Sequence, residues 1–146
     1  MIMDATLQFS NAQAITADAA STNTIDLGAT GTVYGGAAAI VRDIGKGKDV
    51  PLVVTVAEAF NNLTSMNISV QVDDNSSFSS AKTVYRSPEY TLAQLAVGAE
   101  FLLPDALPVG TNERYVRLYY DITGTAPSTG KITAGVVGAR QNNTNR

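Results

Sequence analysis

Few residues in this chain are placed to do chemistry. Asp73-Asp74-Asn75 offers adjacent oxygens that suit a hard cation such as Ca²⁺. No further Asp or Glu stands at a spacing that would complete the shell, so an Asx-type turn is the plainer reading. Lys82 follows Ser79 and Ser80, the ingredients of a Ser-Lys dyad, yet it opens a predicted strand, where an ammonium stays solvated. Gly28-x-x-Gly31 and Gly35-Gly36 match neither the dinucleotide nor the Walker spacing and read as a pliable loop. Gly45-Lys46-Gly47-Lys48 sets two ammonium groups on a turn, either simply solvated or meeting an acidic patch on a partner.

The missing residue types narrow the chemistry further. With no His and no Cys, triads, thiol nucleophiles, His-metal sites, zinc and iron-sulfur clusters and disulfides are all excluded. No Trp and only 4 Phe leave little for an aromatic ligand cage. An enzyme would be left with a carboxylate pair or a Ser-Lys device, and spacing assembles neither. The chain is therefore expected not to be an enzyme and to need no cofactor and no metal. A net charge of −3 argues against nucleic acid as a partner. Charged residues make up 16%, against a usual share of about 25%. Such a polar, weakly charged surface suits a chain that works against partners. The start, Met1-Ile2-Met3-Asp4, lacks the basic and apolar regions of a secretion leader, and no apolar run is long enough to span a membrane.

The elements that must carry these residues are strands. In 66–72, Met66, Ile68, Val70 and Val72 share one face and Asn67, Ser69 and Gln71 the other. In 114–123, Val116, Leu118, Tyr120 and Ile122 point one way and Tyr115, Arg117, Tyr119 and Asp121 the other. Ala5, Leu7 and Phe9 alternate with Thr6, Gln8 and Ser10. Further strands are predicted at 24–27, 50–57, 82–87, 99–103 and 131–140, giving about eight half-buried strands separated by Gly-, Pro-, Asn- and Asp-rich turns. Only 91–97 has a helical pattern, with Thr91 and Gln94 in capping-box spacing and Gly98 at its end. The predicted fold is all-β: a jelly-roll β-sandwich of about eight antiparallel strands with at most one short helix. Residues 1–140 form the single domain, with a long loop at 28–49, and 141–146 form a frayed tail.

Tyr115, Arg117 and Tyr119 project outward from a strand whose other face is already apolar. Tyr and Arg are enriched at interface hot spots, so this face is a candidate contact; an Arg lying between two partly buried rings is the alternative. In the long loop, Val33, Tyr34, Ile40, Val41 and Ile44 are apolar groups on a chain that is costly to order. Arg42, Lys46 and Lys48 add positive charge. Residues 28–49, together with 1–9, which include Leu7 and Phe9, are expected to be ordered by a partner or a second copy. Packing of the loop on its own sandwich is the alternative.

The chain also resembles a known family, the capsid cement (decoration) proteins of tailed bacteriophages, of the Bordetella-phage type. The resemblance rests on the order and spacing of several stretches. They include Leu7-Gln8-Phe9-Ser10-Asn11-Ala12, Arg42-Asp43-Ile44-Gly45-Lys46-Gly47 and Gln71-Val72-Asp73-Asp74. Asn112-Glu113-Arg114-Tyr115-Val116-Arg117-Leu118-Tyr119-Tyr120 and Gly130-Lys131-Ile132-Thr133-Ala134-Gly135 complete it. It implies a jelly-roll protein, made in the host cytoplasm and carried on the outer surface of the virion capsid. It would self-associate as a dimer or trimer at a capsid symmetry axis and clamp neighbouring major capsid subunits, with no membrane partner. The family brings no catalytic residues. Residues 30–40 read as an addition to the family pattern, so no contact is carried over there. A carbohydrate-binding jelly-roll module is the alternative function, although Trp, the usual sugar platform, is absent.

Overall fold

The computed structural model describes residues 3–101 and 104–140. Among these residues ten strands form: β1 (Met3–Ala14), β2 (Ala19–Ala20), β3 (Ile25–Asp26), β4 (Leu52–Glu58), β5 (Leu63–Asp73), β6 (Lys82–Arg86), β7 (Tyr90–Thr91), β8 (Glu100–Phe101), β9 (Tyr115–Gly124) and β10 (Lys131–Val137). One sheet runs β1-β10-β4-β8; the other runs β2-β9-β5-β6, with β3 also on β9 and β7 also on β5. All pairings are antiparallel. β2 and β3 are two pieces of one edge strand, and so are β6 and β7. Counting each split edge once gives eight strands, ordered first-eighth-third-sixth in one sheet and second-seventh-fourth-fifth in the other. That is the wiring of a jelly roll.

The central pair is β5 with β9, in the register Met66↔Ile122, Ile68↔Tyr120, Val70↔Leu118 and Val72↔Val116. These positions face the second sheet, and all but Ile122 are fully buried. There they meet Phe9, Leu52, Val54, Val56, Ile132 and Ala134. Each large apolar side chain removed from water here contributes about 1.5–3 kcal/mol. Asn67, Ser69 and Asp73 lie on the opposite face, yet they too are buried.

Two expectations need correcting. The alternation predicted in β1 fails, because Phe9 and Ser10 are both buried while Leu7 is exposed. The cause is a series of register shifts against β10 and an Ala12 with φ 46°. Each extra residue turns the side chains that follow it to the other face. The helix predicted over 91–97 shrinks to one 3₁₀ turn, Leu92–Gln94. Tyr90 and Thr91 are held extended by pairing with β5, and Gly98, at φ 78°, turns the chain away, so too few residues remain for an α-helix. The capping-box reach does form: Gln94 Oε1 accepts the Thr91 N–H at 2.9 Å. The predicted strand at 99–103 is represented by β8, with 102 and 103 outside the described residues, as is the predicted frayed tail, 141–146.

Candidate interaction surface

Past β3 the chain leaves the sandwich. Every residue of 29–41 is exposed. Thr32 and Ala39 form an isolated antiparallel bridge, the Ile40 N–H donates to the Gly31 carbonyl at 3.0 Å, and the Gly36 N–H donates to Val33 at 2.8 Å. The result is a hairpin arm with apolar groups in water: Tyr34 is fully exposed, Val41 87%, Val33 56% and Ile40 51%. No charged residue lies between Asp26 and Arg42.

The foot of the arm is built differently. Arg42 donates from Nη2 to the Gly28 carbonyl at 2.8 Å and closes the base. Asp43 then accepts the Gly45 N–H through Oδ1 at 3.0 Å and the Gly110 N–H through Oδ2 at 2.9 Å. The Ile44 N–H donates to the Thr111 carbonyl, and the Ile44 side chain packs against the core. Gly45 is required here, since a Cβ would sit 1.9 Å from the Pro108 carbonyl oxygen. The loop at 28–49 therefore has two parts, a foot that packs on its own sandwich and an arm that does not. Lys46 and Lys48 are exposed on the foot. Beside the foot, Gly28, Arg42, Asp74, Glu113 and Arg114 line a shallow groove of about 310 Å³ that carries both signs of charge.

On the outer face of the β5–β9 sheet, Tyr115, Arg117 and Tyr119 do share one side, but each is half-buried. Phe78, set at φ 52° in the turn after β5, folds back so that the Arg117 guanidinium lies 4.1 Å from its ring centre and 5.8 Å from that of Tyr119. Arg117 Nε also donates to Gln71 Oε1 at 2.8 Å. Burial under this lid pulls the Arg117 pKa below its usual value. Arg114 grips Asp26 with two hydrogen bonds of 2.8 Å. That bidentate contact, with the Gly28 N–H, holds the Asp26 carboxyl down at about 2. Arg86 pairs with Asp121.

The Asp73 carboxylate is taken up by its own turn. It accepts the Asn75 N–H at 2.9 Å and the Ser80 N–H at 2.8 Å, and these bonds, the Asn75 one first, hold it below the usual range. Among the described residues, no three acidic side chains converge as metal ligands.

Of the ten residues singled out from the sequence, Val33 and Tyr34 lie on the arm, Arg42, Lys46 and Lys48 on its foot, and Tyr115, Arg117 and Tyr119 on the sheet face. Leu7 is 38% exposed on β1. Phe9 is a correction: it is a core residue and offers nothing to a partner. Met1 and Ile2, in the segment expected to need a partner, lie outside the described residues. The sequence reading missed Phe78 as the cover of Arg117. Its signal was one aromatic in the run Asn75-Ser76-Ser77-Phe78-Ser79-Ser80, where nothing else is apolar.

A family model described as Bbp16 matches residues 9–140, which span the jelly roll from β1 to past the end of β10. No curated protein matches the sequence.

Proposed function

The chain belongs to the Bbp16 family, whose name derives from a Bordetella phage protein, and from that premise we propose that it is a capsid cement (decoration) protein. It binds the outer surface of a phage head and bridges neighbouring major capsid subunits, working as a dimer or trimer on a capsid symmetry axis. The observation that carries this reading is the match of a phage-derived family to the whole jelly roll, and the uncharged, apolar arm held out from it suits the role. The other polar groups described above fit the same role, since Asp26, Asp43, Asp73, Arg114 and Arg117 are bonded within the chain. Each copy need bind only modestly, because many copies that each hold two subunits multiply their effect on shell opening.

The test is to mix the purified protein with empty phage heads that lack it. Co-sedimentation at a fixed ratio to the major capsid subunit, and shells that open at a higher temperature, are the expected results. A protein that stays in the supernatant and leaves the opening temperature unchanged would overturn the reading.

A further inference from the structure

We infer that the arm at 29–41 is a docking element that seats in an uncharged, apolar groove on the major capsid protein; this rests on the cement reading above. Three features fix the kind of partner. The first is charge: 15 consecutive residues, 27–41, carry none, although Asp26, Arg42 and Asp43 flank them at once. A seat for such an arm gains nothing from charge and would leave any buried ion unpaired, so it must be neutral.

The second is shape. A hairpin pinned at its base by Arg42 and standing clear of the sandwich presents both its faces. A groove covers both, whereas a like arm from another copy covers one and leaves the other wet. The 13 residues of 29–41 are also about half of the 20–30 that a standard interface needs on each side. That is too few for a stable arm-to-arm dimer and enough for one contact within a multivalent shell.

The third is the tip. Tyr34 combines a large apolar ring with a hydroxyl that needs a partner when buried, which is the make-up of an interface anchor. The groove must therefore offer a pocket for one ring with a hydrogen-bonding group at its floor. Gly35 and Gly36 beside it, and Ala37, Ala38 and Ala39 beyond, let the two backbones approach closely.

The experiment uses full-length protein and empty heads, with occupancy measured by sedimentation for the wild type, Tyr34→Asp and a deletion of residues 30–39. The point variant alters a side chain that touches solvent alone, so its fold is expected to be intact and is checked by circular dichroism. The expected result is a loss of affinity of about tenfold or more for Tyr34→Asp and a larger loss for the deletion. Binding through the arm should also change little with added salt, and bound wild type should resist chymotrypsin at Tyr34. Wild-type occupancy by a folded Tyr34→Asp would overturn the inference and leave the cement reading standing. A free protein whose mass in solution falls on Tyr34→Asp would overturn it too, by showing that the arm joins copies of this chain. Failure of the wild type itself to sediment with heads would overturn the cement reading first and the arm's role with it.

Discussion

Ser10 and Tyr120 make a test of how the two sheets are joined. Ser10 on β1 and Tyr120 on β9 are both fully buried, and their hydroxyls are 2.8 Å apart. Ser10 Oγ also bonds to Gln13 Oε1 at 2.7 Å, where it must donate, so the Tyr120 hydroxyl is the donor to Ser10. Gln13 Oε1 has a second donor in the Thr22 N–H at 2.9 Å, and Gln13 Nε2 donates to the Ala20 carbonyl. Burial pushes the Tyr120 phenol pKa far up, so the group stays neutral at all ordinary pH.

The two single substitutions are therefore unequal. Tyr120→Phe removes a donor but leaves Ser10 bonded to Gln13, at a cost of about 1 kcal/mol. Ser10→Ala strands a buried hydroxyl with no other partner among the hydrogen bonds described, at a cost of about 2 kcal/mol. Gln13 is spared because Thr22 still donates to it. In the Ser10→Ala background, Tyr120→Phe removes the stranded hydroxyl, so the double variant should be more stable than Ser10→Ala alone. For a chain of this length, 1 kcal/mol moves the melting temperature by about 3 °C. Calorimetry should thus find Ser10→Ala about 6 °C below wild type, Tyr120→Phe about 3 °C below, and the double variant between them. Simple additivity, with the double variant about 9 °C below wild type, would refute the coupling.

The Asp26 carboxyl should titrate near 2 by NMR and move toward its ordinary value of 3.8 in Arg114→Ala. Because its folded value lies below its unfolded one, the pair supports the fold above about pH 4 and that support fades as the pH falls toward 2. Gly45→Ala should lift the foot off Pro108, lower the melting temperature and speed tryptic cleavage after Lys46; an unchanged cleavage rate would show that the foot is not held there. Millimolar Ca²⁺ should leave the melting temperature unchanged, because the Asp73 oxygens already serve the turn, and a clear rise would restore the cation reading.

Composition and period-two alternation determined the fold class and the positions of the central strands. These are local or summed properties: Ile68, Val70, Leu118 and Tyr120 face inward because strand geometry alternates, whatever they pack against. Tertiary structure decided what depends on neighbours distant in sequence. Ala19–Ala20 has no strand signal of its own and becomes a strand because Ser21 docks on Leu118, with the Ser21 N–H to the Leu118 carbonyl at 2.9 Å. Ser10 is a core residue only because β1 slips its register against β10. The same holds for the surface. Sequence marked both the Gly-rich loop and the Tyr-Arg strand as candidates, since both carry apolar or aromatic groups where water is expected. Folding separated them: Phe78 returns from a turn to cover Arg117, whereas Tyr34 and Val41 stay exposed, with nothing covering them among the described residues. Exposure is a property of the whole packed chain, and no window of residues contains it.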